Sequence, residues 1–287
     1  MSKFRLRGRR RRSRETRPDQ IPLRAVVPNL VTSLAACAGI TSISLSSEGR
    51  FVPALAALLV ACVCDGMDGR IARLLKASSR LGAELDSLAD FVNFGVAPAM
   101  FMYFWLTGGP THAGCDPKTV RLVLSCALFY AMCDCFRLAR FNTMLEATPQ
   151  PYWKHFFTGV PAPGGCWMVL TPAILAIALD ARSKYPALAN TFQNPWFGMA
   201  MLVFVGALMA SRLPTISLKA IHFTSKGQAR LFIAVALFLI GLLVCDIWLT
   251  LGVVGALYIL TVPLTGWLFL RVKAKYERGL TSTPEKL

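Results

Sequence analysis

Four stretches of this chain carry no charged residue over lengths that match a bilayer. They are residues 25–47, 91–115, 156–179 and 247–270. A helix crosses the hydrocarbon core of a membrane with about 20 apolar residues. Shorter uncharged runs cover 51–64, 122–133, 196–210 and 231–245. The first two lead into helix-compatible sequence at 65–75 and 134–141, so those helices extend past the core. Between 231 and 270 the only charge is Asp246. A helical stretch of that length would cross the core twice, which places a tight turn near 246–252. The expectation is an all-α polytopic membrane bundle. Its eight spans lie at about 25–47, 51–76, 83–109, 119–141, 157–180, 194–212, 229–246 and 250–271. They are flanked by an arm over 1–24 and a tail over 273–287. No fixed-period repeat interrupts the pattern.

Composition agrees. The chain is 55% hydrophobic and 16% charged, against about 25% charged for an ordinary soluble domain. That excludes a disordered chain, a collagen and a soluble enzyme. A net charge of +16 leaves a membrane protein with one-sided charge, or a nucleic-acid binder. The positions of the charges decide. With eight spans, only five of the 31 Lys and Arg fall on one side: Arg50, Lys118, Arg121, Arg182 and Lys184. The other 26 share the side of both termini, which the positive-inside rule makes cytoplasmic. A bacterial inner membrane fits that arrangement. Half of the net charge belongs to the arm, which lacks hydrophobic periodicity and reads as disordered. Beyond Phe4 it has no interleaved aromatic residues. An anionic lipid surface is therefore its simpler partner, and no nucleic acid is expected. Eight of the nine Cys fall inside spans and read as small hydrophobes, not as a zinc site.

The informative charges are the scarce acids. Asp65 and Asp68 are three residues apart at the cytoplasmic end of the second span. Asp86 and Asp90 are four apart at the start of the third. Each pair shares a helix face, and a short loop makes the two helices neighbours. Four carboxylates at membrane depth mark a functional site, and they cannot all stay ionised together without cations. Oxygen donors suit Mg²⁺, Mn²⁺ or Ca²⁺, and four of them would balance two divalent ions. Paired metals are a known clamp for displacement at phosphorus. A transporter would place such acids nearer the bilayer centre, on broken helices. Gly69, Ala72 and Gly82 are small enough for close approach of a ligand or of another helix, and Arg73 can pair with phosphate.

Together these residues form D-x₂-D-G-x₂-A-R-x₈-G-x₃-D-x₃-D across residues 65–90. This pattern resembles, without departure, the signature of the CDP-alcohol phosphotransferases, a family of polytopic helical membrane enzymes. The resemblance implies transfer of a phosphatidyl-type group from a CDP-linked lipid to an alcohol, with release of CMP. It implies two divalent cations, Mg²⁺ or Mn²⁺, held by Asp65, Asp68 and Asp86. Asp90 would lie near the second metal and act as general base. Asp65, Gly69, Ala72, Arg73 and Gly82 would bind the CDP group. Relatives of this kind also imply a homodimer.

Softer matches concern the acceptor. Val27–Leu30, Phe91–Ala99, Phe136–Asn142, Gly159–Pro163 and Ser211–Lys219 are similar to the phosphatidylserine synthase branch of the family. That branch uses CDP-diacylglycerol and L-serine. Choline, glycerol 3-phosphate and inositol phosphate are the alternative acceptors within the family. A serine carboxylate wants an Arg. Arg137 and Arg140 share a face at the end of the fourth span, and Arg212 ends the sixth at the same level. Each could instead anchor the topology or meet lipid phosphate. Asn142 could bind the acceptor or cap its helix. Asp134, one turn from Arg137, is expected to pair with it.

Overall fold

The apolar runs become helices, and polar or proline-bearing residues set their ends. The computed structural model describes residues 23–77, 79–109, 111, 115–144, 156–180, 186–211, 214–216, 226–262 and 265. The expected arm and tail lie outside these residues, except that α1 (Leu23–Ser47) already begins at Leu23. From Ser47 the chain turns through Glu48–Arg50 and folds back along α1 as α2 (Phe51–Leu74). The buried residues of α2 are Ala54, Leu55, Leu58, Ala61 and Asp68. Asp68 thus continues the stripe that packs into the bundle, which is why an acid is held inside at this level.

Ser79 starts α3 (Arg80–Asp90) by accepting a hydrogen bond from Gly82 N at 3.0 Å. The helix then widens into a π-helical segment, Phe91–Val96, and continues as α4 (Ala97–Leu106) with no break in the path. Pro98 supplies a physical reason for the irregularity. It has no N–H to donate to the Phe94 carbonyl four residues back. The buried Tyr130 hydroxyl of α5 (Pro117–Met144) donates to that carbonyl instead, at 2.8 Å. Such π-bulges recur at functional sites, and this one follows Asp90 directly.

The core joins Phe94, Phe101 and Met102 to Tyr130, Met168, Val169, Leu202 and Met209. These come from the π segment, α4, α5, α6 (Ala162–Asp180) and α8 (Pro195–Ala210). Helix α5 lies close along α8, where a side chain on Gly206 would reach 3.2 Å from Tyr130 Cα. A short α7 (Pro186–Gln193) meets α8 at a 54° bend. There Asn194 caps α8 by accepting from Trp196 N at 2.9 Å. Two three-residue strands, β1 (Phe156–Thr158) and β2 (Pro214–Ile216), pair antiparallel with Phe157 opposite Thr215. Consequently α6 starts at Ala162 and not at 157 as expected, because the preceding residues make this ribbon and its turn. Helices α9 (Lys226–Cys245) and α10 (Ile247–Val262) are separated by Asp246 alone. Its carboxylate accepts from Leu249 N at 3.0 Å, so the break is sharper than the one read from sequence.

Among the described residues, four helices are long and apolar enough to cross a membrane: Val26–Ser47, Phe51–Leu74, Pro117–Thr143 and Ala162–Leu179. The bent α7–α8 pair makes a fifth if it counts as one span. The π segment divides the path expected as the third span into two helices, each too short to qualify alone.

Replacing Tyr130 with Phe should leave the Phe94 carbonyl unpaired and cost about 1–3 kcal/mol. Thermal unfolding of the purified protein in detergent would show the loss. Adding Pro98→Ala, which restores the missing N–H, should recover part of it.

Candidate active site

Two helix ends bring the acids together. Asp65 and Asp68 project from the last turns of α2, and Asp86 projects from α3. One carboxylate oxygen from each lies within 4.8 Å of the others. Asp68 is buried, while Asp65 and Asp86 are half-buried. Asp90 stands one turn beyond Asp86, and its carboxyl meets that of Asp65 side chain to side chain. The structure therefore gathers three of the four expected acids in one cluster, with Asp90 adjoining it through Asp65.

Asp68 is held at both oxygens. Its Oδ1 accepts from Gly69 N at 2.5 Å, and its Oδ2 accepts from the buried Thr32 hydroxyl of α1 at 2.6 Å. Thr32 also lies 3.1 Å from the Pro28 carbonyl. It has a single hydroxyl proton, and the shorter contact to a carboxylate takes it. Thr32 thus orients a candidate metal ligand from a neighbouring helix. Three carboxylates this close, with one already fixed, are a hard oxygen set suited to Mg²⁺ or Mn²⁺.

A cavity of about 220 Å³ opens beside the cluster. Pro28, Asn29 and Thr32 line it from α1, Asp68, Gly69 and Ala72 from α2, and Gly82, Ala83 and Asp86 from α3. The two glycines differ in kind. A side chain on Gly69 would meet no protein atom within 4 Å, so helix packing does not demand glycine there. The space it leaves open belongs to the cavity. A side chain on Gly82 would come 2.9 Å from Asn29 Oδ1 and 3.1 Å from Ser79 Oγ, so those side-chain ends would have to shift to admit it. Arg73 is exposed and is not among the lining residues. The α1 residues at the cavity were not singled out from sequence as site residues. The Pro28-Asn29 pair, three residues before a Thr on the same face, was the available signal.

The side expected to hold the acceptor is built mainly by α5. Arg140 donates to the carbonyls of Met209 (3.3 Å), Ala210 (2.9 Å) and Ser211 (3.0 Å). A guanidinium there satisfies the last carbonyls of α8 and complements its negative end. Gly159 closes the same corner at φ +82°, with no room for a side chain against Met209 O and Ser211 O. Asn142 donates to Ser87 Oγ at 3.1 Å, tying α5 to the helix that carries Asp86 and Asp90. The expected pairing of Asp134 with Arg137 does not form. Among the described residues the one ion pair within 4.0 Å is Arg50–Glu48, and both Asp134 oxygens and Arg137 Nε are buried without a partner. A separation of three residues places both on one face but does not bring the groups into contact. Arg212 lies outside the described residues.

A predominantly helical chain with membrane-length apolar helices, and a carboxylate cluster beside a cavity at their ends, defines a helical membrane protein with a site that could hold a metal ion. Residues 25–210 match the CDP-alcohol phosphatidyltransferase family model. A Mycobacterium leprae protein named CDP-diacylglycerol–serine O-phosphatidyltransferase is 34% identical over 241 residues, covering 83% of this chain and 73% of that protein. A Helicobacter pylori protein of the same name is 32% identical over 252 residues, covering 88% and 95%. A Bacillus subtilis protein of that name is 32% identical over 165 residues, covering 55% and 81%. The chain belongs to the CDP-alcohol phosphatidyltransferase family.

Thr32→Val should raise the Mg²⁺ concentration needed for half-maximal effect by about 10–100-fold, and Thr32→Ser should restore it. Both CMP release and metal-induced thermal stabilisation would report the change.

Proposed function

We infer that this chain transfers the phosphatidyl group of CDP-diacylglycerol to the hydroxyl of L-serine, forming phosphatidylserine and CMP. The carrying observation is the Asp65–Asp68–Asp86 cluster on the cavity between α1, α2 and α3, in a family whose similar members bear that activity in their names. The cavity receives the CDP group, with the open space over Gly69 admitting the pyrophosphate close to the α2 backbone. Asp65, Asp68, Asp86 and Asp90 are the residues that would hold two divalent cations. Metal bound there would supply charge neutralisation for displacement at phosphorus. Asp90 accepts the proton of the serine hydroxyl as its oxygen forms the new bond to phosphorus. The bond from phosphorus to the CMP oxygen breaks, and CMP leaves with the electron pair. Arg137 takes the serine carboxylate. Arg140, already engaged with α8, holds the corner behind it, while Asn142 flanks the acceptor.

Among the described residues a helix occupies part of each of the eight segments read as spans, in keeping with an eight-span domain over residues 25–272. The one-sided distribution of Lys and Arg supports cytoplasmic termini and a cytoplasmic site in a bacterial inner membrane. The basic arm, with net +8 over residues 1–24, would hold the enzyme near anionic lipid, its substrate included. The working unit is taken to be a homodimer.

The test is an acceptor panel with purified protein and CDP-diacylglycerol. Serine should drive CMP release, whereas choline, glycerol 3-phosphate and inositol should not. A different preferred acceptor would overturn the serine reading and leave the family intact. Turnover should stop in chelator and return with Mg²⁺ or Mn²⁺. Asp90→Asn should lower serine-dependent CMP release by about 10²–10⁴-fold while CDP-lipid still binds. Near-normal turnover in that variant would remove Asp90 as the base.

A further inference from the structure

The reaction as described leaves one buried acid without a task. Asp134 is fully buried on α5, and neither of its carboxylate oxygens has a hydrogen-bond partner. Among the described residues, no cation stands within 4.0 Å of it. One turn further along the same helix, Arg137 is half-buried, and its Nε also lacks a partner. Ser42, Asn93 and Trp105 are the other described residues with buried, unbonded side-chain atoms. Those three are neutral. Asp134 and Arg137 are the ionisable ones, and they are neighbours.

Gly95 shows where the acid points. A side chain on Gly95 would come 2.7 Å from Asp134 Oδ2. The carboxylate therefore lies against the π-helical segment that follows Asp90. Asp134 and Arg137 are both near enough to Asp90 to interact with it electrostatically. A structural salt bridge would bring the acid and the guanidinium into contact and satisfy both. These groups do not touch. Burial of unpaired ionisable groups is costly, and a ligand carrying both complementary charges would remove that cost.

We propose that Asp134 and Arg137 form a clamp for an amino-acid zwitterion: Asp134 takes the α-ammonium, Arg137 takes the α-carboxylate, and the hydroxyl is left facing Asp90. This inference rests on serine being the acceptor. The chemistry of the pair selects among acceptors. Polyol phosphates are anions with no ammonium to offer Asp134. Choline and ethanolamine are cations with no carboxylate for Arg137. An amino acid carries both groups on one carbon, and side chains three residues apart on a helix have Cβ atoms about 5–6 Å apart, a span that can bracket them. Arg137, the less buried member, marks the side from which the acceptor enters. Asp134 is thereby a specificity determinant of the reaction, and Gly95 is the residue that makes room for it.

The test compares L-serine with two truncated acceptors, 3-hydroxypropanoate (no ammonium) and ethanolamine (no carboxylate), using CDP-diacylglycerol and CMP release. The wild type should prefer serine to each by at least about 100-fold in kcat/KM. Asp134→Asn should shrink the serine/3-hydroxypropanoate ratio at least tenfold, with the KM for CDP-diacylglycerol unchanged. Arg137→Gln should shrink the serine/ethanolamine ratio instead. Gly95→Ala keeps the acid but forces its carboxylate to move, so it should lower the first ratio and serve if Asp134→Asn fails to fold. Equal losses on all three acceptors would reduce Asp134 to a structural role and overturn the clamp. Absence of serine-dependent CMP release in the wild type would overturn the serine reading along with it, whereas serine turnover with unchanged ratios in the variants would sink the clamp alone.

Discussion

A polar group enclosed among apolar helices must find its partner inside the protein, because lipid offers none. Much of this structure follows from that demand. Pro98 leaves the Phe94 carbonyl without its usual donor, and the Tyr130 hydroxyl is delivered from α5 to meet it. The end of α8 exposes carbonyls, and Arg140 donates to three of them. Asp68 is carried inward on the packing stripe of α2, and Thr32 on α1 binds it. Each of these bonds joins different helices. The bonds that satisfy buried polar groups therefore also fix the relative positions of α1, α2, α5 and α8 around the site.

The same demand separates the two halves of the site. On the side of α1–α3, the acids, the backbone N–H of Gly69 and the open cavity are already arranged in the protein alone. Phosphate chemistry is shared across the family, and this half can be preorganised for it. On the side of α5 Arg140 is engaged with the end of α8, whereas the Asp134 carboxylate and Arg137 Nε have no partner and do not satisfy one another. The half proposed to read the acceptor is the one that carries these unpartnered groups. A site whose buried groups are satisfied only by the right substrate rejects the wrong one strongly, because the wrong one leaves them bare.

The aspartate half was the more legible in sequence. Helical spacing alone puts Asp65 with Asp68 and Asp86 with Asp90, and scarcity of acids draws attention to them. What spacing could not supply was the third helix. Thr32 and Asn29 lie more than thirty residues before Asp68, and nothing local ties an α1 hydroxyl to an α2 carboxylate. The β1–β2 ribbon escaped for another reason. Its strands have three residues each, too few for alternation to register. Pro98 lies in the middle of the span expected over 83–109, where it signals an irregularity without giving its form; its effect on Phe94 appears only with Tyr130 beside it.

The Asp134–Arg137 separation carries a different lesson about spacing. Residues three apart share a face, so pairing was the natural expectation from sequence. On a helix surface open to water the two side chains would be free to swing together, at little gain. Here Asp134 is packed against the π segment through the gap at Gly95, and Arg137 stands half-buried one turn away. Packing, not charge, decides where each group points. The bulge in the α3–α4 path presents Gly95 to α5, so the geometry that relieves Pro98 also leaves Asp134 turned toward the segment behind Asp90. One irregular turn of helix thus couples the placement of the candidate base to the placement of the group proposed to read the acceptor's ammonium.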